Sequence, residues 1–343
     1  MPYADELLAN LVSSFPGNTE NIATEALRHV FDLSDASVEA LNDVVGSGVR
    51  DLEPIAKVRT QVVGADGTQP DLVGFDREGR ERALIEVKFW ASLTPNQPNG
   101  YLARLPSDSP ALLMFLAPRD RVHTLWPQLR ELVASTGGEL EEVDSERRSL
   151  RLTGTQKHLM VVSWRGLLDA MAARSRDAGE TGVESVIRQI RSLARYADSG
   201  AFKPVPEGED KVPVPNRLRL YKRLVNDATE RGVAQEWVSR KGLRATPRRY
   251  GYGRYIRIHR EVVWFGINNE LFESSAQTPL WVHFPDWVKI DRRHLRRVLG
   301  MPDEEWAPVE LRREVEYAQV LDGVVESLRQ VSDAIAGSRH PTG

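Results

Sequence analysis

Short apolar runs alternate with amphipathic stretches along the first part of the chain. Apolar positions three and four residues apart predict helices over residues 18–34, 36–49, 97–105, 121–135, 167–174 and 183–196. Alternating or continuous apolar runs predict strands over residues 57–63, 72–75, 83–89, 111–118, 150–152 and 158–164. The run ALLMFLAP at residues 111–118 is typical of a buried and often parallel strand. This order of elements predicts an α/β domain in which helices flank a central mixed sheet.

A proline-rich stretch separates this domain from the rest of the chain. Pro204, Pro206, Pro213 and Pro215 surround a charged centre that has little apolar surface to bury. We therefore predict domains at residues 1–200 and 216–343, joined by a linker at residues 201–215. The second, smaller domain is predicted to be α+β, with helices over residues 216–231, 292–299 and 308–335 and strands over residues 255–265 and 280–284.

The last of these helices has an apolar surface wider than a single stripe. Such a helix either packs on its own domain or pairs with another subunit. We expect a homo-oligomer that forms through this helix.

The chain of 343 residues contains no cysteine. Disulfide bonds, thiolate zinc sites and cysteine nucleophiles are therefore excluded. No apolar run reaches the roughly 18 residues that a membrane helix needs, and the first residues lack the basic and apolar segments of a signal peptide. These features predict a cytoplasmic protein that does not enter the membrane.

Charge is distributed unevenly along the chain. Residues 216–300 hold 18 Lys and Arg against 8 Asp and Glu, a net charge of +10. Residues 1–215 hold 24 against 32, a net charge of −8, and residues 301–343 hold 4 against 9, a net charge of −5. A local positive field attracts polyanions even when the whole chain is slightly acidic.

Acidic residues and one lysine concentrate around a predicted hairpin at residues 72–89. Asp71 precedes its first strand, while Glu86 and Lys88 are two residues apart on the second strand and so share one face. Mg²⁺ prefers oxygen ligands and needs only one or two carboxylates, so Asp71, Glu86 and the backbone carbonyl of Val87 are candidate ligands for Mg²⁺ or Mn²⁺. Lys88 beside them would favour deprotonation of a water and stabilise charge on a phosphate. The hairpin therefore predicts a site for phosphodiester hydrolysis.

This segment resembles a known family of nucleases. Pro70-Asp71, fourteen intervening residues and Glu86-Val87-Lys88 resemble the signature of the PD-(D/E)XK superfamily. The predicted order of helix, three strands, helix and strand is similar to the core of its restriction-endonuclease-like fold. Gln97 and Tyr101 form a QxxxY motif that resembles the RecB-like branch. The resemblance extends over about residues 15–120.

The resemblance implies roles for individual residues. Asp71 and Glu86 would bind the metal, Lys88 would activate water, and Gln97 and Tyr101 would orient the site or the nucleic-acid backbone. The family often carries a metal-directed glutamate on its first core helix, for which Glu25 is our candidate. Glu20 is the alternative. The family further implies a Mg²⁺-dependent deoxyribonuclease, of the kind that serves bacterial restriction or antiphage defence.

Two basic segments of the second domain are candidate DNA-binding surfaces. RRYGYGRYIRIHR at residues 248–260 combines arginines with tyrosines, and DRRHLRRVL at residues 291–299 predicts a basic helix whose Leu295, Val298 and Leu299 face inward. Arginines contact phosphates without reading sequence, and aromatic rings stack on unpaired bases. The five tryptophans of this domain, Trp287 among them, are expected in the core. The candidate DNA-binding residues are Arg248, Arg249, Arg254, Arg257, Arg260, Arg292, Arg293 and Arg296.

Two alternatives stay open at this point. The chain is either an active nuclease or a non-catalytic nucleic-acid-binding or scaffold protein on the same fold. A nuclease could also be latent and depend on a partner, a ligand or assembly for its activity. Strandedness, sequence preference and endonuclease or exonuclease action are not encoded in these motifs.

Overall fold

We describe the protein from a computed structural model. The structure describes residues 8, 19–94, 97–137, 139–144, 148–199, 215–275 and 278–338. The chain divides into two compact units, Met1–Lys203 and Pro204–Gly343. Most of the proline-rich stretch predicted as a linker lies outside the described residues. None of the described helices has the length and apolar content that a membrane span requires.

The first unit is built on a seven-stranded mixed sheet with the strand order β1-β2-β3-β4-β7-β6-β5. Its strands are β1 (Lys57–Thr60), β2 (Leu72–Phe75), β3 (Glu81–Val87), β4 (Ala111–Ala117), β5 (Leu140–Asp144), β6 (Ser149–Leu152) and β7 (Lys157–Ser163). Its helices are α1 (Thr19–Leu33), α2 (Asp35–Gly46), α3 (Asn99–Arg104), α4 (Arg119–Ser135), α5 (Trp164–Asp177) and α6 (Thr181–Ser199).

The centre of this sheet is parallel, and its edges are antiparallel. β3 pairs parallel with β4, and β4 pairs parallel with β7. Every residue of β4 is buried, as expected for a strand that helices cover on both faces. β1, β2 and β3 form antiparallel pairs on one side, and β7, β6 and β5 do so on the other.

Helices bury both faces of the sheet in two separate apolar clusters. One cluster joins Leu112 and Met114 of β4 to apolar residues of α1, α2, α5 and α6. The other joins Leu113 and Phe115 of β4 to apolar residues of α3 and α4. Successive β4 residues thus point into different clusters, because side chains alternate along a strand. The mixed α/β architecture predicted from the sequence is confirmed.

The second unit contains a five-stranded antiparallel sheet with the strand order β12-β11-β10-β9-β8. Its strands are β8 (Val238–Ser239), β9 (Gly253–Ile258), β10 (Glu261–Ile267), β11 (Leu280–His283) and β12 (Trp306–Val309). Its helices are α7 (Pro215–Ala234), α8 (Asn269–Ser275), α9 (Arg292–Leu299) and α10 (Tyr317–Gly337). α10 packs against α7 and α9. The apolar surface of α10, from which the sequence predicts an oligomer, is therefore buried at least in part within the unit.

Several predicted boundaries are wrong for identifiable reasons. The strand predicted over residues 255–265 is two strands, β9 and β10, because the chain turns at His259, whose φ is +55°. The helix predicted from residue 308 begins at Tyr317, since residues 306–309 form β12 and pair with β11. Val298 of α9, predicted to face inward, is 54% exposed, whereas Leu295 is fully buried as predicted.

Candidate active site

Asp71 and Glu86 lie opposite each other at the open end of the β2–β3 hairpin, away from its turn. β2 pairs with β3 so that Leu72 lies opposite Ile85, and the next step of this register places Asp71 opposite Glu86. Opposed residues of an antiparallel pair carry their side chains on the same face. Asp71 Oδ2 also accepts a hydrogen bond from the backbone N–H of Val87 at 2.7 Å. The hairpin therefore brings the two carboxyl groups together.

Glu86 lies in a buried network of donors. Its Oε1 accepts from Lys88 Nζ at 2.8 Å and from Gln97 Nε2 at 2.5 Å. Gln97 Nε2 also lies 3.4 Å from the hydroxyl of Tyr101, which donates to the carbonyl of Gln69 at 3.0 Å. Glu86, Lys88, Gln97 and Tyr101 are each 4–6% exposed. The two residues of the QxxxY motif thus position Glu86 rather than face solvent.

The charges of this cluster are incompletely balanced. Burial, and after it the charge of Glu86, raises the pKa of the Asp71 carboxyl to about 7. Burial and then Glu86 also raise the pKa of the Tyr101 hydroxyl. Glu86 Oε2 is buried and has no hydrogen-bond partner among the described residues. A cation bound between them would stabilise the unpartnered oxygen of Glu86. It would also offset the repulsion between the Glu86 and Asp71 carboxylates.

The donor atoms fit a hard divalent cation held by few protein ligands. Within the described part of the chain, no group of three Asp, Glu or His side chains is arranged to hold a metal ion. Mg²⁺ keeps several waters and needs only one or two carboxylates, which Asp71 and Glu86 can provide. The N–H and C=O groups of one residue in an extended strand point toward the same neighbouring strand. The Val87 carbonyl is therefore directed to the side on which its N–H binds Asp71.

The acid that α1 brings toward the cluster is Glu20, and not Glu25. Glu20 Oε1 accepts from the backbone N–H of Phe89 at 2.7 Å, and its charge contributes to the raised pKa of Asp71. The Glu25 side chain is 46% exposed and pairs with Arg28 at 2.9 Å; this hydrogen bond lowers the pKa of Glu25. Residues five apart on a helix are rotated by about 140° from each other, so the two acids face different surroundings. Our choice of Glu25 is corrected accordingly.

Two side chains that the sequence did not single out, Arg121 and Trp164, hold the segment that follows Lys88. Arg121 is fully buried, and it donates to the carbonyls of Phe89 and Ala91, each at 2.8 Å. The Trp164 ring stacks on Phe89 with the ring centroids 5.2 Å apart. The Trp164 indole N–H also donates to the Lys88 carbonyl at 3.4 Å. Their partners are far away in the sequence, and no motif spacing encodes such contacts.

Five of the eight candidate DNA-binding arginines contact other groups of the second unit, and two of them, Arg254 and Arg292, do so from half-buried positions. Arg254 donates to Asn226 Oδ1 at 3.1 Å and lies 3.6 Å from Glu230. Arg292 donates to the backbone carbonyls of Phe284, Pro285 and Glu304 at 2.8–3.1 Å. Both side chains are half-buried and have structural roles. The arginines that remain exposed or half-exposed are Arg248, Arg249, Arg257, Arg260, Arg293 and Arg296.

An aromatic surface accompanies these arginines. Trp287, expected in the core, is 61% exposed. Its ring centroid lies 6.3 Å from that of Tyr255, and the Arg248 guanidinium lies over the Tyr255 ring at 5.5 Å. The local sequence PDWVKI, with Pro285 and Asp286 before the tryptophan, is a signal of a surface turn that could have found Trp287.

No protein-family model, curated protein or solved structure matches the chain. The function proposed for this protein therefore rests on its residues and their geometry.

Proposed function

We propose that the protein is a metal-dependent nuclease of the PD-(D/E)XK type that hydrolyses DNA phosphodiester bonds. The observation that carries this proposal is the buried cluster at the end of β3. There Asp71 and Glu86 lie opposite each other, Lys88 pairs with Glu86, and Glu86 Oε2 has no donor among the described residues. Two mutually repelling carboxyl groups beside a lysine are costly in a folded core unless they serve a ligand.

Each residue of the cluster has a role in this proposal. Asp71, Glu86 and the Val87 carbonyl hold Mg²⁺ or Mn²⁺. The bound cation supplies Lewis-acid polarisation of the phosphodiester. The Lys88 ammonium group favours the deprotonated form of the attacking water and stabilises negative charge on the phosphate oxygens. Gln97, anchored by Tyr101, fixes the orientation of the Glu86 carboxylate.

The exposed arginines of the second unit bind the DNA backbone in this proposal. Phosphate contacts of this kind are independent of sequence and weaken as salt rises. The surface formed by Trp287, Tyr255 and Arg248 adds a place where an unpaired base can stack.

A cleavage assay with supercoiled plasmid and linear duplex, with Mg²⁺ or Mn²⁺, tests the proposal. We expect the wild-type protein to cleave, EDTA to abolish cleavage, and Asp71→Asn and Lys88→Met each to lower the rate by about 100-fold or more, because each removes charge that acts on the transition state. Asp43→Asn is the matched control. Asp43 is an exposed carboxylate of α2 that pairs with Arg174, and its loss should leave the rate unchanged. Undiminished cleavage by both site variants would refute the assignment.

Nucleic-acid binding without cleavage is the second candidate function. It is favoured by the Lys88–Glu86 ion pair, which engages one carboxylate oxygen within the protein itself. This function predicts DNA binding that is salt-sensitive but indifferent to divalent cations and to Lys88→Met. The same variants, measured for binding and for cleavage, separate the two candidates.

A further inference from the structure

A second charged site lies in the first unit, on residues that the proposed function does not use. Pro118, the first residues of α4 and α5, and one side of α6 line a cleft of about 670 Å³. Five arginines from these three helices converge on it, against only two aspartates, Asp120 and Asp169. The five are Arg119, Arg165, Arg188, Arg191 and Arg195, and they are called the arginine cleft below.

The aspartates do not neutralise this cleft. Asp169 pairs with Arg191 at 2.5 Å and lies 3.6 Å from Arg165, so one carboxylate is shared between two guanidinium groups. The lining as a whole keeps three positive charges in excess, from five arginines and two aspartates. A concave surface of one sign concentrates counter-charged ligands.

Three of the arginines form a stripe along α6. Arg188, Arg191 and Arg195 are three, four and seven residues apart and all line the cleft, so they lie on one face of the helix. Like charges at this spacing destabilise an isolated helix, which an anionic ligand would offset. The stripe spans about 10 Å at 1.5 Å per residue. One strand of DNA carries about three phosphates over that length. A linear row of cations fits a polynucleotide better than it fits a single compact phosphate group.

The cleft adjoins the candidate active site through one side chain. Trp164 lines the cleft, and the same ring stacks on Phe89 and donates to the Lys88 carbonyl. The α4 and α5 helices begin at the carboxyl ends of β4 and β7, and β3, β4 and β7 are consecutive parallel strands of the sheet. The cleft and the Asp71–Glu86 cluster therefore lie at the same edge of the sheet.

We propose that the arginine cleft binds the backbone phosphates of the nucleic-acid strand that reaches the Asp71–Glu86 cluster. This inference rests on the proposed function in taking a polynucleotide as the substrate. It goes further in assigning a phosphate-binding surface to the first unit, whose net charge is negative.

Binding in EDTA, where no cleavage occurs, tests the cleft. Fluorescence anisotropy of a labelled single strand and of its duplex is measured in a background of Arg257→Ala, Arg260→Ala and Arg293→Ala, so that the second unit contributes little. We expect the added triple variant Arg119→Ala, Arg165→Ala and Arg195→Ala to weaken binding by about 10-fold or more. We also expect it to reduce the slope of log affinity against log salt by about 2–3, since each lost phosphate contact removes about 0.9.

A triple variant of exposed arginines on the same unit is the matched control. Arg130, Arg151 and Arg176 lie outside the cleft lining and are exposed, so their replacement by alanine removes equal charge. Equal losses from the control and cleft variants, or no loss from the cleft variant, would overturn the inference. ATP serves as the probe of a compact phosphate ligand. If the cleft variant loses ATP binding but keeps oligonucleotide binding, the polynucleotide assignment is overturned.

The same proteins assayed for cleavage with Mg²⁺ separate the two proposals. Cleft-dependent binding without cleavage by the wild-type protein would refute the nuclease and retain the cleft as a nucleic-acid site. Cleavage by the wild-type protein that the cleft variant leaves unchanged, together with unchanged binding, would refute the cleft alone.

Discussion

At the scale of single residues, the Glu86–Lys88 ion pair links the stability of the first unit to the candidate active site. Both side chains are about 95% buried, and their charged atoms lie 2.8 Å apart. A buried ion pair adds little net stability, but removal of one partner leaves a buried charge uncompensated. The pair therefore ties the stability of the first unit to the same groups that we propose for catalysis.

Replacement of one partner of this pair should lower the free energy of unfolding more than replacement of both partners. We expect Lys88→Met to lower the free energy of unfolding by about 3–5 kcal/mol, and the double variant Glu86→Gln/Lys88→Met to lower it by less, because the Glu86 charge is then not left buried without its partner. Urea unfolding followed by circular dichroism measures both values. The exposed pair Arg174–Asp43 is the control, with a coupling energy below about 1 kcal/mol. Additive losses for the buried pair would contradict this account.

Most residues of this cluster could be identified from the sequence, but the residues that pack around them could not. Asp71, Glu86 and Lys88 follow from alternation along strands, which is a local rule, whereas Gln97 and Tyr101 were identified by their resemblance to the QxxxY motif. The choice between Glu20 and Glu25 depends on how α1 is rotated against the sheet. The contact of Arg121 with Phe89 depends on a loop conformation set by tertiary packing. Neither leaves a periodic signal in the sequence.

At the scale of elements, a pair of glycines shapes the second sheet. Gly253 of β9 and Gly266 of β10 lie opposite each other, and the Trp264 ring occupies the space that side chains would fill. A Cβ on Gly253 would lie 2.2 Å from Trp264 Cζ2 and 2.7 Å from the Phe265 carbonyl oxygen. Glycine here permits a close approach of ring and backbone.

Gly253→Ala should therefore destabilise the second unit. We expect a loss of about 1–3 kcal/mol from overpacking, seen as a lower melting temperature in calorimetry. Gly182→Ala in α6 is the control, because a Cβ there meets no atom within 4 Å, and its effect should be neutral or slightly stabilising. A melting temperature unchanged by Gly253→Ala would show that Trp264 can move aside.

In this unit, the ends of the helices and strands are less predictable from the sequence than their central residues. The apolar positions Ile256 and Ile258 and the later Val262 and Trp264 share one alternating phase across the polar residues 259–261, and this shared phase favours a single strand. The sequence pattern predicts a helix from Pro308, yet this residue lies in β12 opposite Trp281. The hairpin pairing of β9 with β10 decides the first case and the pairing of β12 with β11 decides the second, and single-sequence patterns do not report strand pairing.

At the scale of the whole molecule, charge is divided between segments of opposite sign. Residues 216–300 carry a net charge of +10 in a chain whose net charge is −3. If the exposed arginines of the second unit bind DNA, the combined variant Arg257→Ala, Arg260→Ala and Arg293→Ala should weaken binding to all sequences alike. The salt slope should fall by about 2–3, at about 0.9 per phosphate contact.

Arg292→Ala provides the contrast for this prediction. Its guanidinium binds backbone carbonyls, so we expect a lower melting temperature and an unchanged salt slope. Electrophoretic mobility shift at several salt concentrations, alongside thermal melting, measures both quantities. A salt slope that Arg292→Ala reduces as much as the triple variant does would contradict the division into structural and DNA-binding arginines.

The buried Arg121 has a consequence for the entropy of binding. Its hydrogen bonds to the Phe89 and Ala91 carbonyls, together with the Trp164 ring, fix the backbone on the C-terminal side of Lys88 in the folded protein. A lysine on a mobile loop would lose that freedom at each encounter with substrate, and the affinity would fall accordingly. Here the backbone that carries Lys88 is ordered once, when the chain folds, and the ammonium group, paired with Glu86, is preorganised for the reaction that we propose.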